Sequence, residues 1–474
     1  MTATSARAWG WATTALALSL ALGVSWCIVR SPLTLYDGLG PILDARSSPS
    51  IGSMFEGGLR SSGYWRPLRV TQIKLIVDAA PDDPTGAFKA VHVALTLAVF
   101  VLFSIWVRPR SMPEFTAAGI ALMIVAGHHS FFVLFSEAYP VNHFLEIVAL
   151  TLVIAVLARG APAWWKDLLA PLLLAIGALT IESGLLVGVV AIACWMAGWR
   201  GISSRGIGSV VLVLIAYFVL RFLVFDVPSP GLDERATGWW LGRLEPAQLV
   251  ERFGANPLPL YAYNLMAALL SVLTSEPRGG VWLISERWLA DSFRPWMGVH
   301  MVSSVLVTGA MLAALVPALG RWRHGTIHDR DRFVLVACAL VAANTALSFG
   351  YVKDEVLSVG AVFYAGGAFA ALAALADRAR EQRGAAVAAA LLLLCISVLW
   401  TTRAAGTFFS LQASAYKVAN DWAVYSMERE LPADWAVDAQ RRTFLDLRQR
   451  SVSLDVPHPA FTRQRRMDRY VEVQ

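Results

Sequence analysis

The sequence predicts an all-α polytopic membrane protein, and three observations lead to this fold class. Hydrophobic residues make up 57% of the 474 positions and charged residues only 16%, whereas a soluble protein carries about 25% charged residues. The apolar residues are gathered in long runs, several of which reach the ~20 residues that a helix needs to cross a bilayer. Much of the formal charge of +6 lies in short loops between these runs, which indicates cytoplasmic loops and not a nucleic-acid interface.

Eleven membrane spans are predicted, and the first runs from about Gly10 to Val29. Only Arg7 precedes it, and it is longer than a typical signal-peptide core, so we interpret it as an uncleaved anchor. The other predicted spans are 88–107, 115–127, 144–158, 167–181, 183–198, 207–225, 299–320, 333–350, 358–376 and 384–402.

Basic residues between the spans predict the orientation of the chain. Five clusters fall on one side if the N-terminus is cytoplasmic, as the positive-inside rule requires. These clusters are Arg108 and Arg110, Arg159 and Lys166, Arg200 and Arg205, Arg321 to Arg332, and Arg378 to Arg383. The protein is therefore expected to be a multi-pass protein of the plasma membrane, with its C-terminus on the outer face.

This orientation divides the chain into a transmembrane module, 1–402, and a small outer-face tail, 403–474. The outer segments of the module are the first outer loop at 30–87, the residues 128–143, the large outer loop at 226–298, and 351–357. The segment 167–198 becomes a hairpin of two short helices with Glu182 at its outer tip. If 258–274 crossed the membrane, the later basic clusters would lie outside, so we predict that it lies at the interface or dips in.

Asp37 lies just outside the first span and is the candidate general base, because a carboxylate there can take a proton from an acceptor. A solvated turn is the alternative, since Asp-Gly is a common turn dipeptide. Other acidic residues of the first outer loop meet the same spacing. They are Asp44, Asp78, Asp82 and Asp83.

Arg66 belongs to the segment YWRPL at 64–68, together with Tyr64. Pro67 is suited to the first turn of a helix, which would place Arg66 beside unsatisfied backbone N–H groups. Those groups and a guanidinium together suit a phosphate. An arginine that anchors the chain to lipid headgroups is the alternative interpretation.

His129 and Glu137 follow the third span on the outer side. Adjacent histidines point in different directions on a helix, so His128 and His129 form a poor metal signature. A zinc or manganese site with Glu137 is one alternative. His129 as a donor to a phosphate, as an orienter of Glu137, or as a structural hydrogen-bonded histidine are the others.

Glu182 and Lys353 are the remaining candidates. Glu182 is the only acidic residue between Asp167 and Asp226, and an ionisable group among apolar neighbours indicates a functional site. It could equally cap the second short helix. Lys353 lies in a charged outer loop and could reach an anionic donor, or the loop could simply be solvated.

Missing signals exclude several functions. The chain has no Walker A loop, no GxGxxG after a strand and no GxSxG, so nucleotide-driven transport and serine hydrolysis have no support. The four cysteines lie within apolar segments and provide neither a disulfide framework nor a CxxC metal pair. They are Cys27, Cys194, Cys338 and Cys395.

Taken in order, the motifs resemble the GT-C membrane glycosyltransferases. The likeness is closest to the transmembrane, TPR-containing protein O-mannosyltransferases and their bacterial relatives, without the TPR array. It rests on Asp37, SPSIGSMF at 48–55, YWRPL at 64–68, AFKAVH at 87–92, His129 with the EA at 137–138, and ESG at 182–184. Three positions depart from the family: Gly38 replaces a second acid, Lys89 replaces a histidine, and Ile181 replaces a lysine.

The resemblance implies a GT-C-like bundle of about 11 transmembrane helices with outer-face loops and interfacial helices. It implies inverting transfer of a sugar from a polyprenyl-phosphate donor to a hydroxyl of a glycan, protein or lipid acceptor on the outer face. Asp37 would be the general base. The residues that would bind the donor phosphate are Arg66, Lys89, His129 and Lys353. Those that would orient them or contact the acceptor are Tyr64, Glu137 and Glu182.

No metal ligand is assigned, and a divalent ion has no strong motif. The competing interpretation is a polytopic transporter or flippase for a lipid or glycolipid. It predicts charges near the bilayer midplane and inverted repeats. The candidate residues lie instead at the outer ends of spans, and no repeat is present in the sequence.

Overall fold

The computed structural model describes residues 3–60, 64–136, 143–229, 231–381, 383–428, 438–456 and 458–459. The first half of the chain forms ten helices in this described part. They are α1 (Ala3–Arg30), α2 (Tyr36–Ser47), α3 (Ile51–Leu59), α4 (Pro67–Ala79), α5 (Pro84–Val107), α6 (Met112–Gly127), α7 (His129–Ser136), α8 (His143–Arg159), α9 (Trp164–Thr180) and α10 (Leu185–Met196).

The second half adds the remaining helices and one small hairpin. The helices are α11 (Ser204–Phe218), α12 (Pro246–Phe253), α13 (Leu258–Thr274), α14 (Leu283–Leu289), α15 (Pro295–Arg323), α16 (Asp329–Leu347), α17 (Ser358–Glu381), α18 (Arg383–Glu428) and α19 (Asp438–Val452). A π-helical turn, Val219–Val224, continues α11, and short 3-10 turns lie at Glu182–Gly184 and Glu355–Leu357. Strands β1 (Thr237–Trp239) and β2 (Gly242–Leu244) pair antiparallel, with Thr237 opposite Leu244.

Six helical segments of the described chain are long and apolar enough to cross a membrane. They are Arg7–Arg30, Pro84–Val107, Ser204–Val224, Pro295–Arg323, Glu355–Arg378 and Ala386–Val424. A seventh arises if α6 and α7, which meet at a 59° bend, count as one broken span. The multi-pass all-α class is therefore confirmed.

The predicted count of eleven crossings stays a prediction. All eleven apolar runs are helical, but α8 and α9 have 17 residues each and α10 has 12. At 1.5 Å per residue, 17 residues reach only about 25 Å, which is less than the ~30 Å hydrocarbon layer. The apolar run alone did not separate such short buried helices from full spans.

α17 is the most buried of the candidate spans and lies at the centre of the bundle, against α16, α6, α18 and α15. Its glycines allow this packing, because a Cβ on Gly366 would lie 2.2 Å from the ring of Trp106 on α5. Close approach over small residues is the usual way in which membrane helices associate.

The charged residues separate toward the two ends of the bundle. Arg108, Arg110, Arg159, Arg321 and Arg330 line one hollow at the end where α5 and α8 finish and α16 begins. The predicted grouping of these basic residues on one side is therefore confirmed. The candidate residues Arg66 and Glu182 lie where α4 begins and α9 ends, at the opposite end. Which end faces the cytoplasm stays a prediction.

α13 dips into the bundle and the chain returns to the end from which it entered. The hydroxyl of Tyr263, near the start of α13, accepts a hydrogen bond from the Trp240 N–H at 2.7 Å and donates to the Gly280 carbonyl. The far end of α13 lies against α15, where Thr308 donates to the Leu273 carbonyl at 2.5 Å. The course of the chain agrees with the prediction that this segment dips in.

α18 passes the predicted boundary at 402 without a break and ends only at Glu428. Its last part and α19 pack against the first outer loop. Trp422 is 1% exposed and donates from Nε1 to the Leu33 carbonyl at 2.7 Å. Phe444 of α19 joins the same apolar cluster as Ile42 of α2. The C-terminal segment therefore covers the loop that carries Asp37.

Candidate functional site

Arg66 and Glu182 form an ion pair between two elements that are 116 residues apart in the chain. The Nε and Nη2 atoms of Arg66 donate to Oε2 of Glu182 at 2.9 and 2.6 Å. The side chains are 12% and 26% exposed, respectively. Arg66 directly precedes α4, whose first residue is Pro67, as predicted from the YWRPL segment. Two separately predicted site residues are thus in direct contact.

The break between α9 and α10 presents Glu182 at its tip, as the predicted hairpin requires. α9 ends at Thr180, Ile181 is extended, and a 3-10 turn follows. The turn packs on α9 through Gly177 and Gly184, where a Cβ on Gly184 would lie 2.0 Å from the Gly177 carbonyl carbon. Because backbone touches backbone here, only glycine fits position 184, and this contact fixes where Glu182 lies.

Arg221 is a second cation at Glu182, and sequence analysis did not identify it. It lies in the π-helical turn after α11, is 4% exposed, and donates from Nη1 to the Tyr217 hydroxyl at 2.9 Å. The same Nη1 lies 3.6 Å from Oε1 of Glu182. Oε1 of Glu182 and Nε of Arg221 are buried and have no hydrogen-bond partner within the described chain. The available signal was a lone arginine within an apolar run.

Tyr64 and Arg235 complete the cationic cluster. The ring of Tyr64 lies between the guanidinium groups of Arg66 and Arg235, whose carbons are 4.3 and 4.6 Å from its centroid. Arg235 also lies 5.0 Å from the ring centroid of Tyr351. Burial raises the pKa of Tyr64 to about 12, so its hydroxyl keeps its proton at neutral pH and can donate a hydrogen bond. Arg235 was not predicted, because no motif surrounds it.

These residues surround a cavity of about 210 Å³, called here the arginine cavity. Its charged lining within the described residues consists of Arg66, Arg221, Arg235 and Glu182, an excess of two positive charges. Most of the remaining wall is apolar or aromatic. It includes Phe144, Ile181, Leu185, Phe218, Phe222, Leu232, Leu249, Leu260, Leu347 and Phe349.

The apolar wall continues to the outer surface of the bundle along α11. Phe218 and Phe222 line the cavity and are also 48% and 37% exposed. Leu223 and Val224 beside them are 78% and 60% exposed, as expected for a surface that faces lipid. The arrangement can accept an anion at the arginines and an apolar chain along α11.

Lys89 and Lys353 lie outside the residues that line this cavity. Lys89 donates to the Val29 carbonyl at 2.8 Å and so ties the start of α5 to the end of α1. Lys353 is 44% exposed and pairs with Glu355 at 3.1 Å. Its neighbour Tyr351 does line the cavity. The structure therefore brings Tyr64, Arg66 and Glu182 together but not these two lysines.

His129 belongs to a separate buried cluster under the re-entrant helix. Its Nε2 lies 2.9 Å from Ser271 Oγ and 3.7 Å from Asp354 Oδ1, and its Nδ1 has no hydrogen-bond partner among the described residues. No group of three His, Cys, Asp or Glu side chains in the described chain could hold a metal ion. The alternative zinc site included Glu137, which lies outside the described residues.

Arg403 and Asp354 are the charged anchors of that cluster. Arg403 is 2% exposed, donates to the His300 carbonyl at 3.0 Å, and lies 3.9 Å from the ring centroid of Trp400. Asp354 accepts from the Gly279 N–H at 3.2 Å. Burial raises the pKa of Asp354 to about 6, against the opposing field of a nearby guanidinium. The loop that carries Asp354 also supplies Tyr351 to the arginine cavity.

Asp37 lies in the first turn of α2 and its side chain is not among those described. α2 packs on α4, with Ile42 of α2 and Ile73 of α4 in one apolar cluster. Since Arg66 directly precedes α4, the predicted base and the arginine cavity are carried by two helices in contact.

Comparison with protein-family models, with curated proteins and with solved structures gives no match for this chain.

Proposed function

We propose that the protein is a membrane glycosyltransferase that uses a polyprenyl-phosphate sugar donor, with its active site at the end of the bundle that carries Arg66. The observation that carries the proposal is the arginine cavity, where three guanidinium groups and one carboxylate meet an apolar wall. A polyprenyl phosphate combines an anionic headgroup with an apolar chain, and the cavity has a matching surface for each part. The resemblance to GT-C enzymes points to the same class of donor.

The donor phosphate would be bound by Arg66 and Arg221. Guanidinium groups bind phosphate oxygens through charge-assisted, often bidentate, hydrogen bonds. Nε of Arg221 has no hydrogen-bond partner in the described chain, and Arg66 uses Nε and Nη2 on Glu182. Glu182 holds both arginines in place while the cavity is empty. The neutral hydroxyl of Tyr64 supplies one further donor.

The reaction would be a single displacement. The acceptor hydroxyl oxygen forms a bond to the anomeric carbon while the bond from that carbon to the phosphate oxygen breaks. The proton of the hydroxyl passes to the carboxylate of Asp37, and the electron pair leaves with the polyprenyl phosphate. The arginines stabilise the negative charge that develops on the leaving group, which is the stage at which electrostatic stabilisation accelerates such a reaction most.

The test is sugar transfer by the purified protein from a panel of radiolabelled polyprenyl-phosphate monosaccharides, with a crude envelope fraction as acceptor. Arg66→Lys and Arg221→Lys keep the charge but lose the planar fork. Each is expected to weaken donor binding about tenfold or more, because a charged hydrogen bond contributes about 1.5–3 kcal/mol.

The matched control is Arg60→Lys, because Arg60 is 76% exposed and pairs only with Glu56 on the same helix. It should transfer as the wild type does. Donor binding without transfer by the wild type would favour the transporter interpretation. Binding that is equal in Arg66→Lys, Arg221→Lys and wild type would remove the arginine cavity as the phosphate site.

A further inference from the structure

We propose a second phosphate-binding site at the opposite end of the bundle, in the hollow between the end of α5 and the start of α16. This basic hollow has a volume of about 390 Å³ and does not share a lining residue with the arginine cavity. The charged residues described along its wall are Arg108, Arg110, Glu114, Arg159, Arg321, Asp329, Arg330 and Asp331. The proposal does not depend on the glycosyltransferase function.

The carboxylates of the basic hollow are already neutralised by three of its arginines. Arg159 donates to Asp329 at 2.8 Å, and Arg330 donates to Glu114 at the same distance. Arg321 donates to both oxygens of Asp331. Arg330 reaches a further carboxylate outside the hollow, at Asp377.

Arg108 and Arg110 are the cations that remain. Neither side chain forms an ion pair within the part of the chain that the structure describes, and both are exposed. The backbone N–H of Arg110, not its guanidinium, donates to Glu114 at 2.7 Å. Arg110 is nevertheless close enough to Asp329 to lower the pKa of that carboxyl, alongside Arg159 and Trp199 and against the effect of burial. An anion that enters the hollow therefore meets two guanidinium groups without a counter-charge.

The deeper wall of the hollow is apolar and extends toward the membrane interior. It is formed by Val107, Phe333, Phe369 and Ala374. Phe369 precedes Arg378, the end of its candidate span, by nine residues, which corresponds to a depth of about 13 Å. A charged rim over an apolar floor suits a phosphate ester. The source can be the headgroup of an anionic phospholipid in the adjacent leaflet or a soluble phosphate, and both present the same group to Arg108 and Arg110.

The experiment measures binding to the full-length protein, purified and delipidated in a neutral detergent. The probes are dioleoyl phosphatidylglycerol, dioleoyl phosphatidylcholine, glycerol 3-phosphate and inorganic phosphate. The double variant Arg108→Gln with Arg110→Gln is compared with Arg205→Gln and Arg323→Gln. The control pair removes two exposed arginines near the same end that do not line the hollow.

We expect phosphatidylglycerol affinity to fall about tenfold or more in the Arg108 and Arg110 double variant and to remain near the wild-type value in the control. Substitution of both residues by lysine should retain most of the binding. Competition by glycerol 3-phosphate and inorganic phosphate identifies a soluble ligand, and binding of phosphatidylglycerol without such competition identifies a lipid. Equal losses in both glutamine pairs, no loss in either, or no binding by any anionic probe overturns the proposal.

Discussion

Glu182 should have opposite effects on the empty and the occupied protein, and Glu182→Gln tests this. The carboxylate accepts two hydrogen bonds from Arg66 and lies 3.6 Å from Arg221, whose side chain is 5% exposed. Its removal leaves two largely buried guanidinium groups without a negative partner. The empty protein should therefore lose stability, whereas a bound phosphate should be held more tightly because it no longer competes with Glu182.

The size of each effect follows from the geometry. Breaking a buried ion pair costs about 3–5 kcal/mol, and because Glu182 is 26% exposed we expect a loss of roughly 2–3 kcal/mol. A phosphate bound to the far side of the Arg66 guanidinium would lie ~6 Å from the Glu182 carboxylate. At an effective dielectric constant of ~20 their repulsion is about 3 kcal/mol at most. Its removal should strengthen binding by about 10- to 100-fold.

Two measurements on one preparation test the prediction. The thermal midpoint without ligand should fall in Glu182→Gln, and the dissociation constant of a polyprenyl phosphate should also fall. Glu56→Gln is the control, since Glu56 is 60% exposed and its pair with Arg60 should contribute at most about 1 kcal/mol. If Glu182→Gln weakens phosphate binding as strongly as Arg66→Lys does, Glu182 contacts the ligand and is not the resident counter-charge.

Three further predictions concern elements around the site. Asp354→Asn should remove a pH dependence: the raised carboxyl pKa stabilises the wild type below pH about 4, and this contribution is lost as pH rises through about 6, so thermal midpoints of wild type and variant should diverge over that interval. Gly184→Ala should lower the midpoint by the equivalent of about 1–3 kcal/mol through overpacking, whereas Gly309→Ala, with free space around it, should be neutral or stabilising. Trp422→Ala should cost about 3–5 kcal/mol and speed proteolysis of the C-terminal segment, and Trp164→Ala, at a site 76% exposed, should do neither.

The helices could be predicted well from the sequence, because hydrophobic runs and end signals act locally. Ser111 caps α6 by accepting from the Glu114 N–H at 3.4 Å, and Asp83 caps α5 through Gly86 at 3.0 Å. The limits of the membrane layer were harder to predict, since an apolar run is the same whether lipid or protein covers it. The long continuation of α18 was missed because Arg403 looked like the start of a polar tail. It is in fact buried against serine hydroxyls and a tryptophan ring.

The candidate site could be predicted only in part. Tyr64, Arg66 and Glu182 carried local signals, namely an aromatic-Arg-Pro segment and a lone acid among apolar residues. Their contact with each other depends on how α4 approaches the break after α9, which no local pattern records. Arg221 looked like an ordinary residue at the end of a span, and its position depends on the π-helical turn after α11. Arg235 lies in irregular chain, where sequence periodicity gives no information.

Sugar transfer by Asp37→Asn is the most direct test of the central claim. Purified wild type and variant would be given the same labelled polyprenyl-phosphate donor and acceptor fraction, and donor binding would be measured in parallel. We predict that the wild type transfers the sugar and that the variant binds the donor normally but transfers it about 100- to 10,000-fold more slowly, as expected for loss of a general base. Equal transfer by both proteins would contradict the assignment of Asp37, and no transfer from any donor by the wild type would contradict the enzyme itself.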